Sequence, residues 1–184
     1  MKILVFSDIH GCFFQLQKML EIFETGNFDK MIIAGDFNNH GPRNGVPENY
    51  DPKICTELLN KKADKIIAVR GNCDAEVDQM ILNFPMMNDC TQVFFETLQS
   101  MRIFIHHGHL EQYSKENLVR LLPTSNEKCK TLVISGHTHI PVLEEENGIT
   151  WLNPGSITFP KGGSKTSYAV IDTENAKIEI KTLS

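Results

Sequence analysis

The sequence predicts an α/β chain, arranged as a mixed sheet or a pair of packed sheets with helices outside. Three observations predict it. Five short aliphatic runs, Ile3-Leu4-Val5-Phe6, Met31-Ile32-Ile33-Ala34, Ile66-Ile67-Ala68-Val69, Ile103-Phe104-Ile105 and Leu132-Val133-Ile134, are continuous rather than alternating. That is the pattern of strands covered on both faces. Helical signals fill the gaps between the first three runs, which gives strand-helix-strand units and parallel strands. The tail alternates instead, with Ile178 and Ile180 on one side, and reads as a hairpin that adds antiparallel pairing.

Taken in order, the first run is followed by Phe13 to Thr25, where Leu16, Met19, Leu20 and Phe23 recur at helical spacing and Gly26 supplies a stop. After the second run, Asp51-Pro52 is an N-cap and first-turn signal for a helix carrying Ile54, Leu58 and Leu59. Thr91 to Glu96 and Arg102 to Ile105 read as consecutive strands joined around Gln99-Ser100. Ser114 then caps a short helix through Leu122, before Pro123. Ser167 to Ile171 and Lys177 to Leu183 form the final hairpin, turning at Thr173-Glu174-Asn175. The Gly/Pro/Asn-rich stretch Asn38 to Pro52 is the longest irregular segment, a length associated with functional loops.

A chain of 184 residues suits one domain spanning 1–184, and a net charge of −5 without blocks of one sign argues against non-specific nucleic-acid binding. Asp8 arrives too soon after Met1 for a signal-peptide core, and no segment is apolar for long enough to span a bilayer. The expected location is therefore cytoplasmic. Five dispersed cysteines without a C-x-x-C pair leave no basis for a disulfide framework or a cysteine zinc site.

The chemistry lies at the ends of the runs, because all seven histidines fall within or just beyond the polar stretch that closes one. The first run ends in Ser7-Asp8-Ile9-His10-Gly11, where an extended backbone would point Asp8 and His10 to one side. The others end in Gly35-Asp36, Gly71-Asn72-Cys73-Asp74, His106-His107-Gly108-His109 and Gly136-His137-Thr138-His139. At the carboxyl ends of strands these groups would converge on one crevice. Carboxylate, amide oxygen and imidazole without thiolate suit Mn(II), Fe or Zn. Six candidate ligands besides Asp36 exceed the needs of one ion, whereas two ions sharing Asp36 would use them all.

The succession Asp8/His10, Gly35-Asp36, Gly71-Asn72, His107-Gly108-His109 and Gly136-His137-Thr138-His139 resembles the calcineurin-like metallophosphoesterase superfamily pattern D-x-H, G-D, G-N, H-G-H and G-H-x-H. Asn39-His40-Gly41-Pro42-Arg43-Asn44, Val69 to Asp74 and Asn153-Pro154-Gly155-Ser156 are similar to its YfcE-like phosphodiesterase subgroup. The resemblance implies a four-layer αββα sandwich of two mixed β-sheets flanked by helices. It implies that Asp8, His10 and His139 hold one divalent ion, that Asn72, His107 and His137 hold a second, and that Asp36 bridges them. The ions would be Mn(II) first, with Fe, Zn, Ni or Mg as alternatives. The implied reaction is attack of a metal-bridging hydroxide on a small-molecule phosphodiester, releasing an alcohol and a phosphomonoester.

Many superfamily members have histidine where this chain has Cys73, and a thiol substitutes poorly for imidazolium at a leaving oxygen. Asp36, Asn72, Cys73 and His109 are the catalytic candidates, and His40, Arg43 and Cys73 the substrate contacts, Arg43 by a bidentate grip. His106 points away by alternation and reads as structural. Asn153 to Ser156 shapes the far wall. Lys161-Gly162-Gly163-Ser164 reads as a flexible turn, because no helix follows it as a phosphate loop would require. Phe84-Pro85-Met86-Met87 reads as core, with a homo-oligomer contact as the alternative. A phosphomonoesterase, or a catalytically weak interaction scaffold resembling Vps29, are the competing functional readings.

Overall fold

The computed structural model describes residues 1–96 and 100–184. It begins with β1 (Lys2–Phe6), α1 (Phe13–Thr25), β2 (Lys30–Ile33), α2 (Pro52–Asn60) and β3 (Ile66–Ala68). There follow α3 (Glu76–Gln79), β4 (Cys90–Phe95), β5 (Ser100–His106), α4 (Lys115–Leu121) and β6 (Cys129–Ile134). The chain closes with β7 (Val142–Glu146), β8 (Ile149–Asn153), β9 (Ser167–Asp172) and β10 (Lys177–Thr182). Among the described residues these strands form two mixed five-stranded sheets, ordered β10-β9-β1-β2-β3 and β4-β5-β6-β8-β7. The turn expected around Gln99-Ser100 begins outside the described residues.

The continuous runs are explained by what covers them. In β1, Ile3 and Val5 face the second sheet, where they meet Ile103, Ile105, Leu132 and Ile134, while Leu4 and Phe6 pack with Leu16, Met19, Phe23 and Leu59 of α1 and α2. On the far side of the second sheet, Val133, Ile149 and Trp151 are closed off by Leu118 of α4. The layers are thus helix, sheet, sheet, helix, as the resemblance implied. Each large aliphatic side chain withdrawn from water in this way contributes about 1.5–3 kcal/mol before entropy is counted. Phe84 and Met86 belong to the helix-side core rather than to the surface.

Helix ends follow the expected local chemistry only in part. Asp51 caps α2 as expected, its Oδ1 accepting from Ile54 N at 3.0 Å. Ser114 occupies the N-cap position of α4 but makes no side-chain cap bond, and Gly26 ends α1 at φ −86°, leaving the left-handed turn to Asn27 at φ 53°. The β7–β8 hairpin was not anticipated. Its signal is Asn147-Gly148, at φ 53° and 70°, the conformation of a type I′ turn. The run Glu144-Glu145-Glu146 hides it, since β7 is an exposed edge strand without apolar alternation. Among the described residues no helix is long and apolar enough to cross a membrane.

Candidate metal centre

Loops from both sheets supply the site. Those after β1, β2 and β3 bring Asp8, His10, Asp36 and Asn72 from one sheet, and those after β5 and β6 bring His107, His137 and His139 from the other. The backbone there is unusual. Asp8, His10, Asp36, His137 and His139 all adopt left-handed φ values between 49° and 66°, a region that costs non-glycine residues about 1–3 kcal/mol each. This corrects the extended reading of Asp8-Ile9-His10: Asp8 and His10 are both left-handed and follow the end of the strand, so their side chains are not brought together by strand alternation.

The result is a concentration of acceptors. His10 Nδ1 lies 2.8 Å from Asn39 O, His107 Nδ1 2.6 Å from Ala34 O and His139 Nδ1 2.6 Å from Phe159 O. A carbonyl accepts from an N–H, so each ring carries its proton on Nδ1 and turns the Nε2 lone pair inward when neutral. His10 Nε2 and His139 Nε2 face each other at 3.4 Å, and His139 Nε2 is 3.2 Å from Asp8 Oδ1. Asp36 Oδ2 lies 3.4 Å from His107 Nε2 and 3.6 Å from His10 Nε2. Asn72 Oδ1 sits between His107 Nε2, at 3.2 Å, and His137 Nδ1, at 2.7 Å. Asp8 is fully buried and neither carboxylate oxygen has a hydrogen-bond partner among the described residues. A buried carboxylate without donors, facing lone pairs, fits a divalent cation.

Electrostatics point the same way. Burial lowers the His10 pKa despite the pull of the Asn39 carbonyl and the two aspartates. Burial would raise Asp36, but His107, the Cys73 N–H and His10 hold it well below the carboxylate range. Burial also opposes charge on His107, yet the Asp36 and Asp8 carboxylates and the Ala34 carbonyl carry it up to about 9. Without a cation, then, a proton on His107 offsets the aspartates. A divalent ion held by His107 would displace that proton, and binding near pH 7.5 is then expected to release about one proton per chain. Apparent metal affinity should rise with pH until about 9 and then level off. The raised pKa also stabilises the metal-free fold, fully below 6.5 and progressively less as pH rises through about 9. Calorimetry in buffers of different ionisation enthalpy measures the release, and metal uptake without it would contradict this arrangement.

Supporting residues were not all anticipated. Asp74 accepts from Asp36 N at 2.8 Å, Phe37 N at 2.8 Å and Gly71 N at 2.7 Å, lashing the loops after β2 and β3 together. Burial and the nearby Asp36 charge push Asp74 up to about 7, although these three N–H groups pull the other way. Two oxygens accepting three N–H bonds is the geometry of a carboxylate. Asn153 Nδ2 donates to Gly136 O at 2.7 Å and Ser156 Oγ to Asp8 O at 3.0 Å, so the far-wall segment holds the ligand loops directly. Glycines make the approach possible. Gly35 lies at φ 97°, and a Cβ there would come within 2.7 Å of His107 Nδ1, while a Cβ on Gly71 would overlap the Asp36 carboxylate.

The remaining candidates divide. Arg43 and Cys73 line the cleft over the cluster, together with Lys161, which reads from sequence as the start of a flexible turn. Cys73 Sγ and the ligand atoms of His10 and Asp36 all lie within 4.8 Å of one another, so a thiol stands beside the candidate donor set. Its thiol is pushed up to about 12 by burial and by the adjacent Asp36 charge. His40 is packed edge-on against Tyr50 at 5.4 Å and is not among the residues lining the cleft. His109 joins His107 and His137 in a ring cluster, at 5.4 and 6.2 Å, and burial followed by those neighbours lowers its pKa. His106 is buried against Phe104 and Tyr113 and pushed down to about 4, chiefly by desolvation.

Residues 1–176 match the model of the calcineurin-like phosphoesterase superfamily domain. The chain is 44% identical over 174 residues to the phosphodiesterase YfcE of Escherichia coli strain K12, covering 95% of this chain and 89% of that one. The solved structure of the Escherichia coli phosphoesterase YfcE superposes with a TM-score of 0.84 at 40% identity over the whole of both chains. Vps29 of Entamoeba histolytica superposes at 0.63 with 21% identity, covering 98% and 90%, a likeness of fold alone.

Proposed function

The chain belongs to the calcineurin-like phosphoesterase superfamily, and on that premise we propose that it is a phosphodiesterase dependent on two divalent metal ions, with Mn(II) the first candidate. The observation that carries this reading is the donor-free Asp8 carboxylate facing the inward Nε2 atoms of His10 and His139. Asp8, His10 and His139 would hold one ion, Asn72, His107 and His137 the other, and Asp36 both. When bound, the ions would supply charge neutralisation at the phosphoryl oxygens and would lower the pKa of water enough to make it a nucleophile for in-line attack on phosphorus near neutral pH.

The protein's own groups do the rest. The Asn39, Ala34 and Phe159 carbonyls fix the ligand imidazoles in one tautomer and one orientation. Arg43, at the cleft, is a forked donor for nonbridging phosphate oxygens. His109 packs its ring beside those of His107 and His137 and helps to hold them. Cys73 presents a thiol of very low acidity where an imidazolium would protonate a leaving oxygen, so turnover is expected to follow the leaving group's own pKa. Good leaving groups are favoured, and the products are an alcohol and a phosphomonoester.

The test is direct. Metal-stripped protein should show no turnover of bis(p-nitrophenyl) phosphate, and addition of Mn(II) should restore it in preference to p-nitrophenyl phosphate. Metal-independent turnover, or none after reloading, would sink the proposal. A preference for the monoester would make the protein a phosphatase instead.

A further inference from the structure

We infer that Lys161, which lines the cleft together with Arg43, is a specificity-determining residue that binds a second anionic group on the substrate, so that the favoured diesters carry a phosphate or phosphonate on one ester arm. This rests on the phosphodiesterase reading above.

The cleft over the metal cluster is small. Its volume is about 40 Å³, room for roughly three or four water-sized atoms and so for the oxygens of one phosphoryl group. The ester arms must therefore project outward, past the residues at its rim. Arg43 and Lys161 line that cleft from two different loops, and Asp36 is the one acidic side chain lining it among the described residues. The Arg43 charge is felt at His137, which places a cation close to the ligand cluster. Neither Arg43 nor Lys161 has an ion-pair partner among the described residues, so neither charge is already neutralised within the fold.

Lys161 is also not free to drift. Its N–H donates to His139 O at 3.2 Å, while two residues earlier Phe159 O receives the His139 Nδ1 proton at 2.6 Å, and the Phe159 ring stacks on His139 at 6.5 Å. The backbone of Lys161 is thereby tied to a candidate metal ligand from two sides. Ser164 closes the turn that follows, its N–H and Oγ–H both donating to Lys161 O, at 3.1 and 2.7 Å. The Lys161 side chain, exposed and without an ion-pair partner among the described residues, springs from this fixed stretch of backbone at the cleft and is suited to an anion just outside the phosphoryl pocket. Pro42 is the one aliphatic side chain among the residues lining the cleft, so charge more than shape selects among substrates.

The experiment compares two esters with one leaving group, methyl p-nitrophenyl phosphate and 2-phosphonoethyl p-nitrophenyl phosphate, on Mn(II)-loaded protein freed of excess ion. Wild type is expected to favour the phosphonate by about tenfold in kcat/KM, through KM. Lys161→Met should bring the ratio to within about twofold of unity, and Lys161→Arg should restore it. A second readout needs no turnover: 2-phosphonoethyl methyl phosphate, but not dimethyl phosphate, should protect Lys161 from acylation by an N-hydroxysuccinimide ester, followed by peptide mass spectrometry. A wild-type ratio near one, a preference unchanged in Lys161→Met, or no protection overturns the inference. Turnover of both esters without preference overturns it alone, whereas turnover of neither overturns the phosphodiesterase reading, and protection still decides the role of Lys161.

Discussion

Asp36→Asn is expected to lower metal-dependent turnover of an aryl phosphodiester by roughly a thousandfold. The substitution changes little in shape. Asp36 Oδ1 accepts from Cys73 N at 2.8 Å, a bond that an amide oxygen can keep. What disappears is the charge at Oδ2, the one carboxylate oxygen within 3.6 Å of both His10 and His107. Both proposed ion sites lose their shared anion together, so the effect should exceed that of removing a ligand belonging to one. In the metal-free variant His107 also loses its nearest carboxylate, its pKa should fall, and the proton released on metal binding should diminish. Steady-state kinetics and metal titration, beside a thermal melt showing an intact fold, check this result. Turnover within about tenfold of wild type would remove Asp36 from the centre of the mechanism.

Asp74→Asn should destabilise the fold by about 3 kcal/mol, although the side chain touches no proposed ion. Its two oxygens accept three backbone N–H groups, from Asp36, Phe37 and Gly71. An asparagine has one oxygen, so at least one buried N–H would face an NH₂ group and lose its acceptor. Because those bonds set the positions of Asp36 and the Gly71-Asn72 turn, metal affinity should drop with stability. Urea unfolding of the metal-free protein separates the two effects. A loss below about 1 kcal/mol would mean that the buried Asp74 works as a neutral carboxylic acid rather than as an anion.

Much of this was legible from residue order. Strands buried on both faces must be apolar throughout, so β1, β2 and β3 stood out as continuous runs, and the period of Leu16, Met19, Leu20 and Phe23 marked α1. The candidate ligands were visible because polar groups stop such runs abruptly. Less legible was how Asp8 and His10 come together, since a left-handed aspartate or histidine has no signature in its neighbours and is imposed by tertiary contacts. Asp74 was hidden for a similar reason: an acid that binds backbone three ways looks like any loop acid until the two loops are adjacent. Lys161 followed by two glycines imitates a free surface turn, and only the His139 carbonyl and the Phe159 ring show where it is held.

The split origin of the site has a mechanical consequence. Each proposed ion is gripped from both sheets: Asp8 and His10 act against His139, and Asn72 acts against His107 and His137. An ion seated there works as a rivet through the sandwich, and its binding free energy resists any sliding of one sheet over the other. The coupling is reciprocal, because the spacing of the two half-sites is set by the side chains between the sheets, including Ile3, Val5, Ile103 and Ile134. Metal affinity is thereby expected to act as a strain gauge for the deepest layer of the protein, registering a repacked isoleucine that no substrate touches.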